Sequence, residues 1–406
     1  MFKKINKKLK GNENALVAIE AFLHSKSAFG DMFLLTYIAR ISATDNPIAF
    51  STYKIIEYLV LTFFAIVIVK FVKKYMLSAF RASFFVGIVK VLIIILLGDQ
   101  IGNYLFLVGI IHGIEASLFW RPYSYFSIIE VPNRNRMRFE TKKVVFGSLA
   151  KILSPVILGL VIADTDYIST GGLILAVSLL QLILSLVFRP SRDYKSQKTH
   201  SLYETLKKIR KLKRLRKVFW IQFLRGTFVS GAAISTIMVM LMNQAFRSDV
   251  DLGFFTTVAA IATIILFLAY DKLIKLSSNG SRFVAVCAMI VAGLATSMLF
   301  ATGQIITATC YIGFLTFLSI INAVCSVKLH NVIRAEKSVR NHVFEIESIS
   351  EVILNAGRIP TFVLLIVFGA TNEGANLPIL VFIYSLTIVP LTLLLMQSDG
   401  EKKRTI

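Results

Sequence analysis

Cysteine and histidine are scarce in this sequence, and their scarcity argues against several classes of protein. The 406 residues include three cysteines and five histidines. Cys287, Cys310 and Cys325 lie in apolar segments without framework spacing, so neither a disulfide scaffold nor a zinc site is predicted. No Ser/His/Asp or His-rich arrangement indicates an enzyme, and no phosphate-binding glycine loop indicates an ATP-driven pump. We therefore expect a protein that is not an enzyme and uses no cofactor or metal.

Acidic residues are also few, and the remaining composition is strongly apolar. There are 23 acidic and 45 basic residues, giving a formal net charge of +22. Hydrophobic residues make up 56% of the chain, and its mean hydropathy is +0.71. A soluble protein of this size cannot hide so much apolar surface in its core. The excess is predicted to face lipid.

Twelve apolar segments, six before a hydrophilic gap and six after it, are predicted to cross a membrane as helices. The first carries several polar residues and is interpreted as a retained span rather than a cleaved signal. The segments are 15–41, 48–69, 84–97, 104–120, 144–163, 172–188, 218–246, 252–270, 283–301, 305–327, 343–368 and 377–396. The predicted fold class is an all-α integral membrane protein with about twelve transmembrane helices in two pseudo-symmetric six-helix bundles. The predicted domains are an N-terminal half at 1–188, a basic cytoplasmic linker at 189–217 and a C-terminal half at 218–406.

The distribution of lysine and arginine predicts the orientation. Almost all basic residues outside the spans fall in the termini and in alternate loops, and Arg247 is the exception. The positive-inside rule places these basic segments in the cytoplasm. Both termini are therefore predicted to lie inside, in a multi-pass protein of the cell membrane.

The central linker contains a basic amphipathic pattern. Leu202, Leu206, Ile209 and Leu212 recur at helical spacing among lysines and arginines. This pattern predicts a helix lying on the anionic inner leaflet, with a solvated positive linker as the alternative. Nucleic-acid binding is not expected, because no stacking aromatics are interleaved with the charges.

Each half also carries a Phe-Glu pair that follows an arginine and precedes a proline, with fifteen residues from glutamate to proline. The residues are Arg138, Phe139, Glu140 and Pro155 in the first half, and Arg340, Phe344, Glu345 and Pro360 in the second. Together with the six-plus-six layout, this match predicts a duplication. Transporters are often built from such halves, with the substrate site between them.

The chain resembles the major facilitator superfamily of transporters, particularly bacterial efflux-type members. Four local features carry the resemblance besides the layout. They are the stretch from Pro122 through Ile129-Glu130-Val131-Pro132 to Arg136, the pair Asp271-Lys272 with Gly280 and Arg282 later, the small-residue set Ala150, Ser154, Pro155 and Gly159, and the basic loop Val69 to Lys74. That loop lacks the family's glycine and aspartate, and Leu158 replaces a glycine of the drug-antiporter signature. We assign conformational gating to Pro155, Gly159, Asp271, Lys272 and Pro360.

Charged residues inside the spans predict the transport pathway, because each is costly in lipid unless it is paired or hydrated. Glu20, His24, Ser27 and Asp31 follow one helical face of the first span and should line the bundle interior. Asp31 is nearest mid-span and is predicted either to bind a proton or a cationic group, or to form a structural ion pair. His112 and Glu115 are neighbours on the fourth span and indicate a hydrogen bond or a proton relay.

The predicted substrate and proton pathway extends to the later spans. Lys151 shares a turn with Pro155, Glu351 and Arg358 lie two turns apart, and Arg225 stands alone. Buried salt bridges explain Lys151, Glu351 and Arg358 equally well. The full set is Asp31, Glu20, His24, His112, Glu115, Lys151, Arg225, Glu351 and Arg358.

Two functions follow from these observations. The first is a monomeric secondary transporter that exports a small molecule by alternating access, driven by protons through Asp31 or Glu115. The second is a flippase for a lipid or lipid-linked sugar, with a basic cavity for an anionic headgroup. Lys90, Lys151, Arg225 and Arg358 would supply that cavity.

Overall fold

The computed structural model describes residues 2–28, 47–132, 135–164, 167–190, 200–230, 233–246, 249–276, 280–300, 303–371 and 377–403. These ranges are almost entirely helical. The helices are α1 (Phe2–Ala28), α2 (Pro47–Val67), α3 (Val69–Lys74), α4 (Met76–Leu97), α5 (Leu105–Glu130), α6 (Arg136–Asp164), α7 (Tyr167–Val187), α8 (Leu202–Lys211), α9 (Lys213–Phe228), α10 (Ala233–Phe246), α11 (Asp249–Leu276), α12 (Gly280–Phe300), α13 (Gln304–Ala335), α14 (Val343–Thr371), α15 (Leu377–Leu386) and α16 (Ile388–Lys403). Two 3₁₀ segments, Gly98–Tyr104 and Lys337–His342, precede α5 and α14.

The helices match the predicted spans. Eight stretches of the described chain are long and apolar enough to cross a membrane, and 171–187 and 253–269 form shorter apolar helices. The remaining two predicted spans correspond to α1 and α6, while α9 with α10 and α15 with α16 each make one span. The predicted all-α membrane fold with about twelve helices is therefore confirmed. The part of the first predicted span beyond Ala28 lies outside the described residues.

Large apolar side chains cover the outside of these helices. Leu96, Phe300 and Ile305 are more than four-fifths exposed, and many other leucines, valines and phenylalanines are about half exposed. Soluble monomers rarely expose so much apolar surface, and its extent is consistent with contact with lipid tails. Buried residues of the same helices form the interior.

The contacts divide the chain into two compact units. Unit 1 contains Met1–Thr44, Thr52–Ile209 and Ile333–Val352, and unit 2 contains Asp45–Ser51, Arg210–Val332 and Ile353–Ile406. Consequently, α13 and α14 each contribute residues to both units. Unit 1 therefore includes a short piece of the second half of the sequence.

Unit 1 packs α1 against α6 and α7, and α4 against α5 and α7. The side chains of Phe80, Phe84, Phe119, Phe126 and Phe188 form an aromatic core between α4, α5 and the end of α7. Phe80 lies within 5.1–6.1 Å of the other four ring centroids, mostly edge to face. Such geometry is the preferred packing of buried aromatic rings.

Unit 2 contains a close helix crossing between α9 and α14. A Cβ atom added to Gly226 would overlap the Leu354 carbonyl oxygen, and one added to Gly357 would overlap the Phe223 carbonyl oxygen. The two backbones thus touch directly, as small residues permit in membrane helices. Elsewhere in this unit, α12 packs against α15 and α16.

Candidate functional site

A buried charge triad joins α1, α4 and α5 in unit 1. Lys26 Nζ donates to Glu115 Oε1, and Lys90 Nζ lies 2.5 Å from Glu115 Oε2. The side chains of Lys26, Lys90 and Glu115 are 4%, 11% and 6% exposed. Each oxygen of one carboxylate therefore faces a different ammonium group. We call these three residues the lysine triad.

Gly87 makes room for the lysine triad. It lies one turn before Lys90 on α4, and a Cβ atom there would come within 2.5 Å of Lys26 Nζ and would also overlap the Glu115 carboxylate. Any larger residue would displace one of these groups. The glycine is required by space rather than by backbone conformation.

A second cluster lies on α2 and α5. His112 Nδ1 is 2.5 Å from the Tyr53 hydroxyl and 3.2 Å from Glu57 Oε2. Lys54 Nζ donates to the same Glu57 oxygen at 3.1 Å. His112 is 23% exposed by side chain, more than its partner Glu57 at 7%. The ring is therefore partly accessible, while its Nδ1 atom is hydrogen-bonded.

Two residues of the polar stripe predicted on α1, Glu20 and His24, contact other helices of unit 1 or each other. Tyr123 donates its hydroxyl hydrogen to Glu20 Oε2, and Lys143 Nζ lies 3.2 Å from the same oxygen. Lys143 also reaches Glu140 Oε2 at 3.1 Å, and His24 Nε2 is 3.9 Å from Glu20 Oε1. Glu20 and His24 are therefore placed among α5 and α6, where ion pairs offset the cost of burying the glutamate.

Several predicted residues lie wholly or partly outside the described structure. Asp31 lies outside the described residues. The helical paths of α6 and α11 are described, but side-chain detail is lacking for Lys151, Pro155, Gly159, Asp271 and Lys272. Their assigned roles stay predictions.

In unit 2, Arg225 is not isolated as the sequence implied. Its Nε atom donates to Asn322 Oδ1 at 2.6 Å, and its Nη1 atom donates to Gln222 Oε1 at 2.9 Å. Neutral amides on α9 and α13 thereby orient the guanidinium group. Sequence reasoning missed Asn322 because it is 97 positions away.

Arg358 and Glu351, expected to be a pair on one helix, belong to different units. Arg358 donates to the Ser230 carbonyl at 2.6 Å and to Asn355 Oδ1 at 2.8 Å in unit 2. Glu351 belongs to unit 1, where its charge acts on the buried Arg121 guanidinium. Pro360 lies inside α14, and its side chain is exposed.

Two arginines cap the carboxyl end of α5. Arg136, which is fully buried, donates to the carbonyls of Ile128 and Val131 at 3.1 and 2.7 Å. Arg334 of α13 donates to the same two carbonyls. The last carbonyls of a helix lack partners inside it and carry partial negative charge, which cations stabilise. The Pro122 to Arg136 motif flagged Arg136, whereas no local signal marked Arg334.

A buried ion pair holds the first turn of α14 within unit 1. Lys73 Nζ lies 2.7 Å from Glu345 Oε1, and both side chains are 2% exposed. The backbone N–H of His200 donates to the same oxygen at 3.0 Å. The repeat pattern singled out Glu345, but not its partner 272 positions earlier.

Next to this pair, His342 accepts a hydrogen bond from a lysine. Lys208 Nζ is 2.8 Å from His342 Nε2, Thr205 Oγ1 is 2.9 Å from His342 Nδ1, and the His200 ring stacks on His342 with centroids 3.9 Å apart. An ammonium group only donates, so Nε2 must accept and Nδ1 must carry the proton. Burial, together with the neighbouring His200 and Lys208, lowers the pKa of His342. The ring is therefore neutral.

The predicted amphipathic helix forms, but part of its apolar face is turned into the protein. Thr205 and Ile209 of α8 are buried, while Tyr203 is 75% and Leu206 38% exposed. Most of the basic side chains are exposed. The exposed surface of α8 is therefore mostly positively charged, with Tyr203 and Leu206 as its exposed apolar side chains. Throughout the described chain, no three His, Cys, Asp or Glu side chains are grouped to hold a metal ion.

Comparison with known proteins identifies the architecture. No protein-family model and no curated protein matches the sequence. Among solved structures, a bacterial homologue of the iron transporter ferroportin aligns with 95% of this chain and 98% of its own, with a TM-score of 0.69 and 12% identity. The E. coli fucose:proton symporter FucP, a major facilitator superfamily transporter, aligns with 94% of this chain and 97% of its own, with a TM-score of 0.64 and 14% identity. The human organic anion transporter MFSD10 aligns with 96% of this chain and 98% of its own, with a TM-score of 0.60 and 14% identity. The chain therefore has the fold of the major facilitator superfamily.

Proposed function

We propose that this protein is a secondary transporter that works by alternating access. The observation that carries the proposal is the set of charged side chains buried within the membrane-spanning helices of unit 1, in a fold shared over nearly its whole length with known transporters. Charged side chains inside membrane-spanning helices are costly, and they commonly mark a substrate or ion pathway.

In its specific form, the proposal is proton-coupled export of a small molecule across the cell membrane by a monomer, with both termini in the cytoplasm. Glu115 is a weak candidate for the proton carrier, because each of its oxygens is already neutralised by a lysine. Asp31 remains the first candidate. His112 is the second, since its ring is partly accessible and already hydrogen-bonded.

The contacts of residues 333–352 provide the proposed gate. Lys73 with Glu345, and Arg334 with the carboxyl end of α5, hold a piece of the second half of the chain against helices of the first half. Alternating access requires contacts between halves that break and re-form. We assign that role to these residues, together with Pro155, Gly159, Asp271, Lys272 and Pro360.

A flippase for an anionic lipid or lipid-linked sugar is the second candidate. The observation that favours it is the excess of lysine over glutamate in the lysine triad, which suits a negatively charged headgroup. The two candidates differ in whether the transported molecule is soluble or remains in the bilayer.

The test uses purified protein in liposomes with an imposed pH gradient. Accumulation of soluble compounds that collapses with an uncoupler supports the proton-coupled transporter. Movement of fluorescent anionic lipid between leaflets, without uptake of soluble compounds, supports the flippase. If neither activity exceeds that of protein-free liposomes, both the transporter and the flippase proposals are refuted.

A further inference from the structure

We propose that the lysine triad binds one anionic group of the transported molecule, which makes the substrate an anion. This inference rests on the proposed transport function and deepens it. The anionic group is a carboxylate or a phosphate, carried either by a soluble compound or by a lipid headgroup.

The first argument is the charge balance of the triad. Lys26 and Lys90 are both mostly buried and repel one another, yet one carboxylate serves both. Among the described residues, Glu115 is the single acid in ion-pair contact with either lysine. A buried charge without compensation is unfavourable, so the triad, at net +1, favours the arrival of one negative charge.

The neighbouring acid cannot supply that charge. Glu57, the other carboxylate between α2 and α5, is already held by Lys54 and His112. The carboxylate of the second cluster is thus paired within that cluster. The positive excess remains localised on the lysine triad.

The second argument is the supply of hydrogen-bond donors. Each ammonium group has three N–H donors, and in the described contacts each lysine engages only the Glu115 carboxylate. The spare donors of two ammonium groups can converge on an anion with several acceptor oxygens. Charge-assisted hydrogen bonds of this kind are the strong ones.

The third argument is access. Lys90 is the most exposed member of the triad at 11%, and the His112 ring, one turn before Glu115 on α5, is 23% exposed. The approach to the triad is therefore from the side of Lys90 and His112. Lys90 makes first contact, and Lys26, at 4%, completes the site from behind.

The competing explanation is that one lysine is simply neutral. A triad with one neutral lysine has no net charge and no reason to prefer anions. Comparing probes of equal shape and different charge separates the two explanations.

The experiment measures thermal unfolding of purified protein in a neutral detergent. Lactate is compared with lactamide, and benzoate with benzamide, while phosphatidylglycerol is compared with phosphatidylcholine in mixed micelles. We expect an anion of at least one pair to raise the unfolding midpoint by several degrees and its neutral counterpart to have little effect. A response to lactate or benzoate indicates a soluble substrate, and a response to phosphatidylglycerol alone indicates a headgroup.

Variants assign the effect to the triad. Lys90→Gln should abolish the anion-dependent shift, whereas Lys90→Arg, which keeps the charge, should retain it even if the glutamine variant proves unstable. Lys207→Gln, which removes an exposed linker charge, is the matched control and should behave as wild type. Equal shifts with charged and neutral probes, no shift with any anion, or a shift that survives in Lys90→Gln would overturn the proposal.

Transport by the same samples separates this inference from the proposed function. Anion binding without movement of the anion across the liposome membrane would support the anion site and refute the transport function. Gradient-driven movement of lactamide or benzamide, but of neither anion, would leave the transporter standing and refute the anion site.

Discussion

Glu115 forms contacts in unit 1 with residues that are far from it in the sequence. Its partner Lys26 is 89 positions earlier in the chain, yet the two side chains meet in the interior. Sequence reasoning identified the α1 stripe and the His112–Glu115 neighbourhood from helical spacing. It missed the lysine triad because no local pattern connects α1, α4 and α5.

Replacing Glu115 with glutamine should strongly destabilise the protein. Two buried ammonium groups would lose their carboxylate, and breaking a buried ion pair in this way costs about 3–5 kcal/mol. Thermal unfolding in detergent measures the loss, with Glu204→Gln on the exposed surface of α8 as the control. Adding Lys26→Met should restore part of the stability, and no recovery in the double variant would contradict this account.

Replacing Gly87 with alanine should separate Lys26 from Glu115. The added methyl group would occupy the space of their charged atoms, and overpacking of this kind costs about 1–3 kcal/mol. Gly102→Ala is the matched control, since a Cβ atom at Gly102 has no neighbour within 4 Å. Equal unfolding temperatures for the two variants would show that the triad adapts.

Replacing Asp31 with asparagine should abolish uphill transport but leave substrate counterflow largely intact. The change keeps the side chain's shape and removes its proton. Accumulation driven by a pH gradient, measured beside counterflow in the same liposomes, gives the result. Wild-type accumulation would remove Asp31 from the coupling mechanism, and failed membrane insertion would assign it to a structural ion pair.

The positions of helices could be predicted from the sequence, whereas the contacts between helices could not. The amphipathic pattern predicted one helix over 201–217, whereas the structure has α8 at Leu202–Lys211 and begins α9 at Lys213, with Leu212 extended between them. The pattern could not show that Ile209 is buried within unit 1, because burial depends on partners from distant sequence. For the same reason, the motif at Pro122 to Arg136 indicated Arg136 at the end of α5. It could not indicate Arg334, which comes from a distant part of the sequence.

The contact between α8 and His342 should weaken in acid. The pKa of His342 is lowered, so the contact is fully formed above the ordinary histidine pKa of about 6.5 and is lost as pH falls toward the lowered value. A protonated His342 can no longer accept from Lys208. Hydrogen exchange of residues 202–211 between pH 5 and 8 should show faster opening at the acid end.

A matched variant isolates this effect. His342→Gln keeps a hydrogen-bond acceptor for Lys208 but does not titrate, so its exchange profile should be much flatter. The charged or titratable groups that act on His342 are His200, Lys208, Glu345 and Lys73, and His342→Gln leaves all four in place. An unchanged acid response in His342→Gln would show that His342 is not the responsible group.

At the scale of the whole molecule, hydropathy and charge distribution predicted the fold class. Lipid requires each spanning segment to satisfy its own backbone, so apolar length alone indicates a helix. The division into halves at 1–188 and 218–406 concerns internal symmetry and stays a prediction. Substrate identity depends on a few polar atoms in the interior, which such large-scale patterns do not encode.

Orientation can be tested by thiol labelling. A cysteine introduced at Asp45 or Asp164 should react with an impermeant reagent from outside, and one at Ser196 should not, because basic loops stay inside. The native Cys287, Cys310 and Cys325 are each 1% exposed and should give a low background. Reversed labelling would invert the topology, and labelling at all three sites would contradict the number of spans.

The crossing of α9 and α14 at Gly226 and Gly357 bears on how relatives of this chain diverge. Because the two backbones touch there, even a single methyl group at either glycine would overlap a carbonyl oxygen of the facing helix. Among descendants of a common ancestor, these two positions should therefore still hold glycine after most surrounding residues have been exchanged.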